Sequence, residues 1–252
     1  MGPPALGARR ERVSVDRADF TNVVRALTKL YGEPELLEPR DPFEAIVWEN
    51  AAYLVDDAHR AAVFERLNAQ IGVSPASLLR AGPGKIEAVI ASGGGMRPAG
   101  RAAKVVRCAE IAMALAGGDL PSALRKLDGP GARRLLRRFP GIGEPGADKI
   151  LLLAGLSDEP AVDSNGLRVL TRLGAVEEAD AYAATYRRAA RFLAGVTAAS
   201  GARRARYFGL LRTHGRTLCK RAAPRCQECP LEQLCPKKGV PFSAGASWGR
   251  RL

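Results

Sequence analysis

Apolar residues recur at intervals of three and four through most of the chain. In residues 18–31 the stripe is Phe20, Val23, Val24, Leu27 and Leu30, the spacing of one face of an amphipathic helix. Gly32, Pro34 and Pro39 close that segment. Asp41-Pro42 opens the next as N-cap and first-turn proline. Its run PFEAIVWENAAYLV over 42–55 is mostly apolar, which predicts a core helix. Glu49 interrupts the run, with Ala45, Ile46, Ala52 and Tyr53 on its side of the helix. Such a carboxylate faces either solvent or a cleft. Further helices are expected over 57–71, in a short segment after Ser74-Pro75, over 101–116, from Leu120-Pro121, over 131–139, over the Ala-rich 176–199 and over 203–218. Residues 91–100 read as a Gly-rich loop. No strand alternation and no long internal repeat is evident, so the chain reads as all-α.

Composition sharpens this picture. Of 252 residues, 46% are apolar but only 6% aromatic, so the cores must be built from Ala, Leu, Val and Ile. Lys and Arg outnumber Asp and Glu by 39 to 26, a net charge of +13, which favours a polyanionic partner. No apolar run reaches the ~18 residues that span a bilayer, and MGPPALGARRERVSV lacks the apolar core of a secretory signal. The expectation is a cytoplasmic protein, nucleoid-associated if bacterial, without a membrane partner and with reduced thiols. In such a compartment clustered cysteines point to a metal rather than to disulfides.

Two stretches carry chemistry. In FPGIGEPGADKI, Pro140, Gly141, Ile142 and Gly143 form a turn between two apolar helical runs. The glycines allow close backbone approach. The free amides of the following helix suit a phosphate. The turn, with Gly146, is the candidate DNA grip, of a kind that holds backbone without reading sequence. Near the C-terminus, Cys219, Cys226, Cys229 and Cys235 stand as C-x6-C-x2-C-x5-C. Four thiolates so spaced suit zinc or a [4Fe-4S] cluster, and spacing alone leaves both open. Cys108 lies apart on an apolar helix face and reads as a core residue.

LRTHGRTLCKRAAPRCQECPLEQLC resembles the iron-sulfur loop of the endonuclease III and adenine glycosylase family. FPGIGEPGADKI is similar to that family's hairpin, and AVDSNGLRVLTRLG to the segment with its catalytic aspartate. The three occur in the family's order, and the resemblance spans roughly residues 20–238. It implies the two-domain helix-hairpin-helix DNA glycosylase fold, a six-helix barrel plus an iron-sulfur cluster domain. The implied division is a flexible arm over 1–16, a helical domain from 17–40 and 156–238 with the cluster loop, a barrel over 41–155 with the hairpin, and a tail over 239–252. It also implies a [4Fe-4S] cluster on the four cysteines. The implied partner of this monomer is double-stranded DNA carrying a damaged or mismatched base, which must be flipped out of the stack.

Asp163 matches the aspartate that stabilises the oxocarbenium-like sugar as the base leaves. Before Ser164 and Asn165 it also reads as a plain N-cap. Without gaps, Glu49 falls on the catalytic glutamate of the adenine glycosylase branch, a candidate general acid or base. Its other reading is a structural ion pair. Two departures stand out. Bifunctional members carry a Schiff-base lysine two residues after the hairpin's second glycine, where this chain has Pro145. That implies a monofunctional glycosylase that uses water, with Lys149, one turn on, as the alternative lyase nucleophile. Where the family has a gap-filling glutamine run, Tyr53 and Leu54 stand. Tyr53 is thus a candidate DNA wedge or stacking residue, and the family's usual substrates do not carry over. A non-catalytic damaged-DNA-binding protein is the remaining alternative. His214 is expected to support the cluster or packing, and His59 to lie on the surface.

Overall fold

The computed structural model describes residues 14–52, 55–92, 97–196 and 200–240. Among them are eleven α-helices and one short 3-10 turn, with no strand. The helices are α1 (Arg17–Tyr31), α2 (Pro42–Ala51), α3 (Asp57–Gln70), α4 (Pro75–Ala91), α5 (Pro98–Ala116), α6 (Leu120–Arg125), α7 (Gly129–Leu136), α8 (Glu144–Leu153), α9 (Ser164–Arg172), α10 (Tyr182–Ala194) and α11 (Gly201–Thr217). Tyr53, the middle of the Gly-rich loop and most of both expected tails lie outside the described residues.

The chain divides into two compact units. One takes Glu35–Ala161 and Ala199–Arg206. Its centre is α2, which packs against α3, α5, α6 and α8. Asp41 caps α2 through the amides of Phe43 and Glu44, as the Asp-Pro pair predicts. Eight of its ten residues are buried, and the two glutamates are the exceptions. Burying each of Ile46 and Val47, both fully enclosed, contributes roughly 1.5–3 kcal/mol. The helix stops at Ala51, short of the expected residue 55. α4 is not short: it runs to Ala91, bent where Gly82 takes a φ of 70° just before Pro83.

The other unit takes the described parts of Met1–Pro34, Val162–Ala198 and Tyr207–Leu252. Phe20, Val23 and Leu27 of α1 pack with Leu167 and Leu170 of α9, Tyr186 and Leu193 of α10, and Leu210 and Leu211 of α11. Among its described residues, the Ala-rich segment is helical over Tyr182–Ala194. Ahead of it, the Thr185 hydroxyl holds both backbone groups of Ala179 in a turn, an alternative to helix that Thr side chains offer.

Candidate DNA-processing site

Asp163 takes the N-cap position its sequence context allowed. It caps α9, with Oδ1 accepting from the amides of Asn165 at 3.0 Å and Gly166 at 2.8 Å. The cap occupies one oxygen. Oδ2 accepts from the Asn165 side chain at 3.0 Å and lies 3.9 Å from Arg212 Nε. The carboxylate is thus clamped with 21% of its side chain exposed, at the positive end of a helix dipole. Asn165 continues a chain of contacts. Its Oδ1 accepts from Arg168, which also donates to the carbonyls of Gly215 and Cys219. Gly215 makes this approach feasible, since a Cβ there would fall 2.6 Å from the Asn165 carbonyl oxygen. The Tyr182 hydroxyl is pushed up by burial and by the Asp163 charge.

In the other unit, the hairpin residues Pro140–Gly143 are anchored from beneath by Asn50. Its Nδ2 donates to the Pro140 carbonyl at 2.9 Å and to the Ile46 carbonyl at 3.0 Å. Gly141 has a φ of 77°, and a Cβ there would meet Asn50 Oδ1 at 2.7 Å. Ile142 is buried among the core residues, as its place between two glycines predicts. Gly143 caps α8 without any side-chain hydrogen bond, so no side chain competes for the helix's first amides. Pro145 in the first turn lacks an amide of its own but presets the helical φ. Gly146 lies against Ile142: a Cβ added there would stand 3.6 Å from that side chain.

Glu49 and Lys149 come together one hundred residues apart in sequence. Lys149 Nζ donates to Glu49 Oε1 at 2.5 Å. Arg60 of α3 stands 3.6 Å from the same oxygen, and Glu38 lies 3.9 Å from the ammonium. Side-chain exposure falls from 25% at Glu49 to 16% at Arg60, 11% at Lys149 and 4% at Glu38. The ion-pair reading anticipated for Glu49 is therefore present, with a lysine as nearest partner. The adjacent Asp148 is tied separately to Arg133.

All four C-terminal cysteines line one pocket, with Arg172, His214 and Leu231. None is in a disulfide. Among the described residues, no three His, Cys, Asp or Glu side chains close on a single ion. Four thiols on one pocket are the donor set that a [4Fe-4S] cluster takes. Three of the four sulfurs are already supplied with donors: Arg172 to Cys219 at 3.4 Å, the Leu231 amide to Cys229 at 3.4 Å and the Lys237 amide to Cys235 at 3.3 Å. N–H groups aimed at sulfur suit thiolate ligands. Without a metal, burial pushes the Cys229 thiol up and that of Cys235 to about 11. Arg172 also donates to the carbonyls of Cys219, Lys220 and Arg221, and so holds the entry to the loop. Burial lowers His214 to about 4, leaving a neutral imidazole between Tyr31 and Cys229 Sγ. His59 is on the surface, paired with Asp56. Cys108 is fully buried, its thiol pushed up to about 12.

Sequence reasoning did not find Asn50, Arg60, Glu38, Arg168, Arg172 or Arg212. The only available signal was polarity in the wrong place, as with Asn50 inside an apolar helix.

No family model matches the chain. A stretch of 148 residues, 56% of this chain, is 30% identical to thymine-DNA glycosylase of Aeropyrum pernix and covers 60% of that protein. The chain thus spans less than two thirds of that curated relative. A solved structure of endonuclease III in a non-covalent complex with DNA superposes with a TM-score of 0.71 at 22% identity, over 87% of this chain and 94% of that one. A thermostable thymine-DNA glycosylase gives 0.68 at 19% identity, over 87% and 94%. The 3-methyladenine DNA glycosylase of H. pylori, bound to 1,N6-ethenoadenine, gives 0.61 at 16% identity, over 80% and 97%. The all-α fold is that of endonuclease III, and over 148 residues the chain is similar in sequence to a thymine-DNA glycosylase.

Proposed function

We propose that this protein is a monofunctional DNA glycosylase of base excision repair, hydrolysing the N-glycosidic bond of a flipped, damaged or mismatched base in double-stranded DNA. The observation that carries this reading is the state of Asp163. Its cap fixes the carboxylate rigidly, while about a fifth of the side chain, 21%, stays exposed. A fixed negative charge is what a sugar developing positive charge requires. Pro140–Gly143 and Gly146 hold backbone phosphate through the unblocked start of α8. Glu49 serves as the general acid or base.

The monofunctional choice rests on two positions. Pro145 has no amine, and that of Lys149 is engaged by two carboxylates. Cys219, Cys226, Cys229 and Cys235 hold a [4Fe-4S] cluster. When bound, it would cross-link the loop that carries Lys220, Arg221 and Arg225. Arg172 and the Leu231 and Lys237 amides orient the sulfurs.

The test is a panel of defined-lesion duplexes, analysed with and without alkali after incubation. Breaks that need alkali are expected. Breaks without alkali, with a borohydride-trapped adduct lost in Lys149→Ala, would instead mark a lyase. Binding without base release on every duplex would mark a non-catalytic damage sensor.

A further inference from the structure

Tyr31 closes α1 and His214 sits in α11, and their side chains meet beside the cysteine pocket. Tyr31 stands four residues after Leu27 and His214 four after Leu210, so each shares the face that its helix turns to the common core. The Tyr31 hydroxyl lies 3.0 Å from His214 Nδ1, and His214 Nε2 lies 3.5 Å from Cys229 Sγ. We infer that Tyr31 is a positioning residue for the cluster loop: it donates to Nδ1, fixes the single ring proton of His214 on Nε2, and so aims an N–H at the Cys229 thiolate. This rests on the [4Fe-4S] reading of the four cysteines.

Donor counting decides the direction. Thr217 Oγ1 lies 2.8 Å from the Tyr31 hydroxyl and 2.9 Å from the Thr213 carbonyl. Each hydroxyl has one proton, a neutral imidazole has one N–H, and a carbonyl only accepts. His214 is 1% exposed, and such burial keeps the ring neutral. Two chains of bonds satisfy these limits. In the first, Nδ1–H donates to Tyr31, Tyr31 to Thr217 and Thr217 to the Thr213 carbonyl. Nε2 then turns a lone pair to Cys229, which suits a protonated thiol. In the second, Thr217 donates to Tyr31 and Tyr31 to Nδ1, and Nε2–H points at Cys229. A thiolate ligand has no proton and only accepts. It is repelled by the lone pair of the first chain and selects the second.

Cys229 then has two donors, Nε2–H of His214 and the Leu231 amide at 3.4 Å. Cys219 and Cys235 take theirs from Arg172 and from the Lys237 amide. Hydrogen bonds to ligand sulfur stabilise the more negative, reduced state and so raise a cluster's potential. Partners behind a ring fix its tautomer and its orientation together. Tyr31 does this from 183 residues away, out of a different helix. The imidazole is thus gripped at both nitrogens, and turning it over would break both contacts. The end of the first helix thereby helps to set the electron density on a sulfur near the end of the chain.

The chain has two histidines, so nitrogen NMR of protein with isotope-labelled histidine is simple to read, and His59→Asn assigns the surface ring. In anaerobically purified, yellow-brown protein, His214 is expected to carry its proton on Nε2 and none on Nδ1. Film voltammetry gives a second readout. His214→Leu and Tyr31→Phe are expected to lower the cluster potential. His214→Gln, whose amide donates from about the place of Nε2, is expected to hold it near wild type. Tyr31→Phe should also lose its visible absorbance to ferricyanide about tenfold faster. A proton on Nδ1 in the loaded protein overturns the proposal. So does a potential that neither His214→Leu nor Tyr31→Phe moves. Should His214→Leu not fold, the wild-type tautomer and Tyr31→Phe still decide. Colourless protein with stoichiometric zinc overturns the cluster reading and this proposal with it, while base release on the duplex panel tests the glycosylase reading separately.

Discussion

Asp163→Asn isolates charge from structure at the site. Asparagine caps a helix about as well as aspartate, so the bonds from the Asn165 and Gly166 amides can persist. What disappears is the negative charge beside Arg212 and one acceptor for the Asn165 side chain. The Arg212 contact is long at 3.9 Å, so its loss costs well under about 1 kcal/mol. A domain of this size loses ~2–4 °C in Tm per kcal/mol, and the expected change is within a few degrees. Base release should fall far more. Removing a preorganised electrostatic partner of the transition state costs roughly 3–4 kcal/mol, or about 10²–10³ in rate. Asp163→Ala makes the complementary case: the cap is lost as well, at about 1 kcal/mol, so Tm and rate should both drop. The assay pairs thermal melts with single-turnover excision on a duplex from which wild type releases the base. An Asp163→Asn protein with a rate within tenfold of wild type would refute the electrostatic role and leave Asp163 as a cap.

The remaining expectations address the other parts. Gly141→Ala places a Cβ against Asn50 at a left-handed φ, costing about 1–2 kcal/mol from the backbone alone. It should weaken binding to undamaged duplex and flatten its salt dependence, as read by fluorescence anisotropy. Protein purified anaerobically should be yellow-brown with broad visible absorbance, lost in Cys226→Ser; colourless protein with stoichiometric zinc would defeat the cluster. Arg168→Ala removes bonds to Asn165, Gly215 and Cys219 at once. It should cost roughly 1–3 kcal/mol and slow excision, by melts and single turnover. His214 folds neutral, near 4 against an ordinary 6.5. Its stabilisation is full above about pH 6.5 and declines as pH falls towards 4, by up to roughly 3 kcal/mol. A urea titration should show that decline steeper in wild type than in His214→Asn.

The parts legible in the sequence were those whose signal is local. The cap at Asp41, the buried Ile142 and the apolar stripe of α1 each follow from residues within a turn or two. The bend in α4 was written in Gly82-Pro83 and passed over, because the helix period resumes on both sides. Other features depend on partners far along the chain. No periodicity marks Asn50 as the support for Pro140 ninety residues on, or Lys149 as the partner of Glu49. Glu49 shows the same limit. Local pattern marked it as a polar residue in an apolar helix, a description that fits an acid, a base or a strut equally. Its ion-pair partners come from α3 and α8, and the segment before α2 adds a second carboxylate to the same lysine. A motif match transfers the position of a glutamate, but not the cations around it. Two chains that share the glutamate can therefore surround it differently, and the residues to compare between them are those at positions 38, 60 and 149.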